Sequence, residues 1–530
     1  MILNLERPGM KTSLDTQVCV VGAGAVGLSL AVALSNLGVD VVVLEGGGES
    51  MEIRSQELQR GESVGHSFSS IDVGRYRILG GTTTMWGGQV LPFDSFITGA
   101  RPWIGHSAWP VTGSELEKYF LRAYYQLGMS DVELDDAMVW KKLGVAAPNL
   151  GDDLEIIMTR WVRMRNFTKL YRTVIRDDSG PTVVVHANVV ALQLTAGGAV
   201  ETVRARSLDG RKLTVRARYF VLANGTLEVV RLLKHPLHDG SSAPWAHSAW
   251  LGAPFIDHLD CYGGDVRLLN HKRFHEAFDS IYLGGRKYYP KLRIAPEVQR
   301  NEGLVDVAAQ FIYRTRFSDH LDYLNMFLRS VRDGGSNVSL RALPSHLAAV
   351  ATTVVPLAIR YFRDRRSFKP LDSEVRLFFF CEQLPNPCSR IELSNETDSL
   401  GMRRLWVNWQ IDGRELKTMA VFGQRIQRNL NALGLANVAL DPRLADQDPS
   451  FLRGVSDAIH HMGTTRMGLS AEDGFVDSDL RIFGTRNLYV AGAAVFPSTG
   501  FANPTFTAIA LALRLADHLK NALRGPTHPY

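Results

Sequence analysis

Cysteine is scarce in this 530-residue chain: its four copies, Cys19, Cys261, Cys381 and Cys388, form no CxxC pair, haem-attachment motif or zinc pattern. The chain therefore implies no metal and no haem. Cys19 sits inside an apolar run and reads as a small buried hydrophobe. Charge of one sign is scarce too. A net charge of +5 is small for this length, and the basic residues are not gathered in one tail, so nucleic-acid binding has little support. Internal repeats and low-complexity segments are absent. Met1–Thr16 is polar, contains a proline and has no apolar signal core, which argues for the cytoplasm. One nearly apolar stretch stands out, Leu347–Ile359, with Pro356 inside it. It is shorter than the roughly 20 residues that a membrane-spanning helix needs. Arg360, Arg363, Arg365 and Arg366 follow it, so residues 347–366 read either as a buried helix with a basic end or as a surface segment resting on a membrane or partner.

Hydrophobic residues make up 45% of the chain and charged ones 21%, a soluble globular balance, at a length suited to two or more domains. The first clear unit runs from Val18 to Glu45. Val18–Val21 has the continuous apolar character of a buried parallel strand. Gly22-Ala23-Gly24-Ala25-Val26-Gly27 follows, then an Ala/Leu-rich helix over Leu28–Leu37 ended by Gly38, then a strand over Val39–Leu44 ending in Glu45. Gly22 serves the tight turn, Gly24 lets backbone approach a pyrophosphate, and Gly27 lets helix and strand pack closely. The helix start offers unpaired N–H groups to phosphates. Glu45, 18 residues past Gly27, stands near the spacing at which an acid receives a ribose hydroxyl pair. An acid there favours FAD or NAD over NADP.

Further along, Met51–Val73 reads as an irregular connection. Arg75 to Gly88 holds two Gly pairs around small hydroxyl residues, which would let backbone pass tightly against a flat ligand. An aromatic loop with Trp103 and Trp109 precedes a helix from Gly113 to Leu127, with Thr112 and Glu115 placed as a capping box. Thr182–His186 and Val189–Leu194 read as strands. Phe220 to Thr226 resembles a second strand-to-helix turn, its helix carrying Leu227, Val230, Leu232 and Leu233. Beyond about Gly263 the texture changes. Asp265–Leu269, Val305–Tyr313 and Glu374–Phe380 read as strands of a mostly antiparallel sheet with helices on one face, among them Leu416–Leu433. Leu488–Gly492 then returns as a short strand. A helix follows through Leu519, with Asn503 as its cap and Pro504 in its first turn.

His460 and His461 precede a glycine-rich turn, Met462 to Gly468. A histidine can take the proton of an alcohol that loses a hydride, and the Asn503 amide could hold the same oxygen. Each has a plainer reading, as a core histidine and a helix cap.

Taken together, Val21–Glu45, Arg75–Gly88, Val221–Leu233, Leu251–His258, Glu382–Arg390 and Ile459–Ala516 resemble the glucose–methanol–choline (GMC) oxidoreductases, flavoenzymes that oxidise alcohols. The resemblance spans nearly the whole chain. It implies an α/β FAD-binding domain of the Rossmann-like, glutathione-reductase type, joined to an α+β substrate domain. Their expected bounds are 15–262 with an insertion around 90–180, then 263–445, with 446–530 returning to the first domain. It also implies that Gly22, Gly24, Gly27, Glu45 and Val189 serve the ADP side of FAD and that Arg75 and Ala223 bind the cofactor. Gly80, Gly81, Thr82, Thr84, Met85, Trp86, Gly87 and Gly88 would lie along the flavin, with Gly492, Ala493, Pro504 and Thr505 near its ring. His460 becomes the proton acceptor, Asn503 its partner and His461 a structural neighbour. Members that bind flavin covalently have His in a Thr-His-Trp context where this chain has Thr84-Met85-Trp86, so FAD is expected to be non-covalent. The loops around Trp103 and Trp109 resemble bacterial sugar-oxidising members. Gln383 would then contact a substrate hydroxyl, or else pair within the sheet. The activity so implied is oxidation of a sugar or glycoside alcohol, with oxygen or a redox partner as acceptor. Rival readings are a dehydrogenase subunit feeding a quinone or haem partner, a sterol or other alcohol oxidase, a redox-neutral flavoprotein, and an NAD enzyme.

Overall fold

A computed structural model describes residues 1–237, 240–314, 320, 323, 326, 340–367 and 373–525. In it the valine run closes strand Ser13–Val21. This strand lies parallel between Val41–Leu44 and Lys212–Leu222. With neighbours on both edges and helices over its faces, every residue of the run is buried, which is why the sequence is continuous rather than alternating. Thr182–Val185 and then Ile2–Asn4 extend the sheet on one side. On the other, Leu488–Val490 pairs with Lys212–Leu222, so a strand from the end of the chain completes the sheet begun at its start. Asn188–Leu194 does not pair with the strand just before it. His186, at φ 58, turns the backbone, and the later strand pairs instead with Val200–Arg206.

Helices Ala25–Asn36 and Thr505–Arg524 pack on each other over this sheet, and Gly113–Gln126 packs on the second of them. The Thr112 hydroxyl caps Gly113–Gln126 by accepting the Glu115 N–H. Glu115 does not close the box, because its carboxylate pairs with Arg514 at 2.6 Å.

The second sheet, nine strands among the described residues, is mostly antiparallel. Its centre is His258–Leu268, Glu374–Glu382, Val307–Arg314 and Arg286–Ile294. Val375, Leu377, Phe379 and Cys381 alternate onto the face covered by helix Glu415–Ala432, whose Met419, Phe422 and Ile426 complete that core. The intervening residues, Phe380 and Ala308 among them, face the first core. Leu154–Trp161 and Gln89–Val90 also join this sheet, although they fall within the stretch expected as an insertion in the FAD-binding unit. Met51–Val73 is more ordered than its composition suggests: Gly61–Gly65 is a strand, parallel to Arg403–Trp409 in a small third sheet.

Leu343–Asp364 is a helix whose Leu347, Ile359 and Phe362 are exposed; the side chains of 349, 351–355 and 357 lie outside the described residues. No helix among the described residues is long and apolar enough to cross a membrane.

Candidate active site

The glycine turn has the geometry its sequence implies. Gly22 takes φ +98, and a Cβ there would stand 2.6 Å from Asn224 Cα. At Gly27 a Cβ would lie 1.9 Å from the Gly22 carbonyl oxygen, the signature of tight helix–strand packing. A Cβ on Gly24 would meet nothing within 4 Å, so bare backbone borders the adjoining cavity. Helix Ala25–Asn36 starts at Gly24 without a side-chain cap, leaving its first N–H groups for an anion.

That cavity, about 310 Å³, is bordered by Gly22, Gly24, Glu45, Gly81, Thr82, Val189, Ala223, Gly492, Ala493, Pro504, Thr505, His460 and His461. Each oxygen of buried Glu45 accepts one backbone N–H at 2.9 Å, from Ala23 and Gly47, which leaves each a lone pair for a ribose hydroxyl. Burial pushes its carboxyl upward against those bonds. Asn224 Oδ1 is buried at the cavity without a partner. An uncapped helix start, bare glycine backbone, an acid and an orphaned amide oxygen fit a dinucleotide such as FAD.

Several expected contacts lie elsewhere. Arg75 is not part of the cavity lining; it donates to the Gln59 and Ile71 carbonyls and pairs with Glu228. The cations that border it are Arg77 and Arg231; Arg77 donates to Asn188 Oδ1 at 3.0 Å and Glu228 Oε2 at 2.8 Å. Gly81 and Thr82 reach the cavity, but Gly80, Thr84, Met85, Trp86, Gly87 and Gly88 are not part of its lining. Gly80 N–H donates to the Ala23 carbonyl, the Trp86 indole to Arg165 O, and Met85 is 64% exposed. Gln383 pairs within the protein. It is fully buried, its oxygen accepting from Asp257 N–H and Trp409 Nε1 and its amide donating to Gln410 O. Trp109 is buried with its indole on Ser498, and Trp103 donates to Leu304 O, so neither offers a free ring.

His460 and Asn503, far apart in sequence, meet. The Asn503 Nδ2 amide donates to His460 Nε2 at 2.9 Å. That leaves the imidazole proton on Nδ1, which faces His258 Nδ1 at 2.9 Å. Asn503 therefore does not cap the last helix, which begins at Thr505 with no side-chain cap. Burial, then His258 and Lys291, hold His460 well below the ordinary imidazole range, so it is neutral near pH 7 with a lone pair on Nε2.

Asp257 organises the backbone here. Its carboxylate accepts N–H groups from His258 at 2.7 Å, Ala458 at 3.1 Å and His460 at 3.0 Å. Between the last two stands Ile459, at φ 62, a left-handed conformation that costs a branched residue about 1–2 kcal/mol. The carboxylate grips both flanking N–H groups and holds that turn. Gln383 in turn holds Asp257. His461 points away, Nε2 to Ser70 Oγ at 2.7 Å, and packs beside Phe68 and Phe255. Sequence reasoning missed Asp257, His258, Arg77 and Asn224. Only the Asp257-His258 pair carries a signal, as two polar residues inside an otherwise apolar stretch, Leu251–Leu259.

A family profile described as GMC oxidoreductase matches residues 385–512, and one described as FAD binding domain matches 15–59. Two separate segments of the chain thus match a GMC oxidoreductase profile and an FAD-binding profile. Among curated relatives of this chain is a C-glycoside 3-oxidase of Microbacterium trichothecenolyticum, 31% identical over 153 residues, 28% of each chain. The fructose dehydrogenase large subunit of Gluconobacter japonicus is 30% identical over 165 residues, 29% of this chain and 28% of that one. The chain thus matches just over a quarter of the length of these relatives. A formate oxidase of Aspergillus oryzae RIB40 shares the fold at TM-score 0.58 and 15% identity, over 97% of this chain and 99% of that one. A pyridoxine 4-oxidase from Mesorbium loti does so at TM-score 0.55 and 15% identity, over 95% and 99%.

Proposed function

We propose that this protein is a GMC oxidoreductase that oxidises a CH–OH group of a sugar or glycoside to a carbonyl. The observation that carries the reading is the Asn503–His460–His258 chain at the edge of a dinucleotide cavity. Bound FAD supplies the acceptor for the hydride that leaves the carbinol carbon. When the substrate hydroxyl displaces the Asn503 amide from His460 Nε2, that nitrogen, neutral and desolvated, takes the hydroxyl proton. The Asn503 amide holds the same oxygen and steadies its developing charge, and Asp257 keeps the imidazole in place through the backbone. Gly22, Gly24, Glu45 and Val189 hold the ADP half of FAD, with Gly492, Ala493, Pro504 and Thr505 near its ring. Met85, an exposed thioether, offers no attachment point, so FAD is held non-covalently. The sugar donor is supported by the glycoside and fructose named for the two relatives above.

A second reading, a dehydrogenase whose electrons leave to a separate partner, is favoured by one feature. Helix Leu343–Asp364 exposes Leu347, Ile359 and Phe362 next to Arg360, Arg363 and Arg365, a surface suited to a partner or a membrane. The test is to add sugars, glycosides, simple alcohols and sterols to the FAD-loaded protein without oxygen and record its visible bands. Bleaching by a sugar or glycoside is expected, and bleaching by none of these donors contradicts the reading. On readmitting air, fast recovery marks an oxidase and slow recovery the second reading.

A further inference from the structure

Along the sheet face that looks toward His460, the antiparallel register sets residues side by side. His258 stands opposite Glu382 and Asp260 opposite Phe380; Phe380 in turn stands opposite Ala308. One strand further on, Arg293 is opposite Ala308, so Lys291, two residues away, shares the same face. Ala308 is too small to block the Lys291 stem, which crosses it and puts its ammonium 3.5 Å from the centre of the Phe380 ring. Phe380 is the strand neighbour of Asp260. The ammonium and the carboxylate therefore approach the same patch of sheet from opposite sides, beside the residue that touches His460.

Both groups are under-bonded. Lys291 is only 2% exposed, and among the described residues it makes no hydrogen bond, its charged neighbour being Asp260. Asp260 Oδ1 is buried without a partner. Of all the lysines and arginines in the second sheet's inner face, the neighbouring Arg293 shows the contrast, bound to Asp306 at 2.9 Å and Asp94 at 2.7 Å. Leaving a buried charge unsatisfied is costly, and a folded protein tolerates it where a ligand completes the bonds. Burial draws the Lys291 ammonium down to about 7 and lifts Asp260 up to about 7, each only partly offset by the other.

We propose that Lys291 and Asp260 form a substrate-recognition pair for a polyhydroxylated ring, Lys291 donating to one hydroxyl oxygen and Asp260 accepting from a hydroxyl hydrogen. The charges select this class. A carboxylate on the substrate would satisfy Lys291 and be repelled by Asp260, and an amine would do the reverse. Hydroxyl groups accept and donate, so neighbouring hydroxyls serve both partners, while a sterol ring serves neither. The proposal rests on the sugar-oxidation reading and names the residues that recognise that substrate.

The test separates binding from chemistry. Calorimetric titration of the FAD-loaded protein with methyl β-D-glucopyranoside is compared for wild type, Lys291→Met and Asp260→Asn, with cyclohexanol as a single-hydroxyl ring. Retained visible spectrum and unchanged melting temperature establish that each variant is folded. We expect the glucoside to bind wild type and to lose about tenfold or more in affinity in each variant, the usual cost of a charged hydrogen bond. Cyclohexanol affinity stays unchanged. Equal glucoside affinity in all three proteins, or none in wild type, overturns the pair. Glucoside binding that is lost in the variants yet never bleaches the flavin keeps the pair and sinks the oxidation reading. Bleaching by cyclohexanol but not by the glucoside keeps the oxidation reading and sinks the pair.

Discussion

In the proposed reaction His460 serves as the base because of what surrounds it. Burial, with His258 and Lys291 nearby, keeps it unprotonated far into acid, and the Asn503 amide on Nε2 fixes which nitrogen carries the lone pair. The rate of flavin reduction at saturating substrate should therefore hold its plateau down through pH 6.5 and fall only well below it; an acid limb centred at or above 6.5 would contradict this. Met85 yields a second prediction: acid precipitation should release all the yellow colour into the supernatant, and colour retained in the pellet would mean a covalent link. At this scale the sequence is legible where a residue's job is local. Gly22, Gly24, Gly27 and Glu45 act within one turn and the strand beside it, and their roles can be read from spacing. Asn503 and Gln383 differ. An asparagine before a proline suits a helix cap, and only the fold shows that its amide is taken by a histidine on another loop. Gln383 sits in a segment that the family resemblance sends toward substrate, yet its three bonds go to backbone and indole inside the protein.

Elements follow the sequence in type more closely than in partnership. Ser13–Val21, Lys212–Leu222, Glu374–Glu382 and Glu415–Ala432 all lie where apolar runs, alternation or helical spacing put them. Sheet membership is another matter, since Leu154–Trp161 has neighbours in the second sheet more than a hundred residues away and nothing local to announce them. Helix Ala25–Asn36 provides a direct test of close packing. Glycine to alanine in a helix interior normally stabilises by about 1 kcal/mol. Gly27→Ala should do the opposite, because its Cβ would sit 1.9 Å from the Gly22 carbonyl oxygen, which is backbone and cannot swing aside. We expect a loss of about 1–3 kcal/mol in urea unfolding, together with weaker FAD retention. A more stable variant would show that the turn is looser than described.

Across the whole molecule, the two sheets are joined by charges that have no access to water. Arg101, from the aromatic loop, binds Glu382 of the second sheet through two bonds of 2.6 Å, with both side chains fully buried. The Arg101 charge outweighs burial and holds the Glu382 carboxyl down to about 2. The same carboxylate accepts N–H groups from Asp306 and Thr499, and Asp306 accepts that of Phe501. The loop that ends in Asn503 is thus hung on this network. Arg101→Met strands a buried carboxylate and should cost about 3–5 kcal/mol in urea unfolding. A loss under 1 kcal/mol would show that Thr499 and Asp306 suffice to hold Glu382. The account as a whole stands on His460 as the proton acceptor of an FAD-dependent alcohol oxidation. The most direct measurement is single-turnover, oxygen-free reduction of FAD by the same donor in wild type and His460→Ala, at matched FAD content. The account predicts that FAD remains bound in the variant while its reduction slows by several orders of magnitude; reduction at the wild-type rate would contradict it.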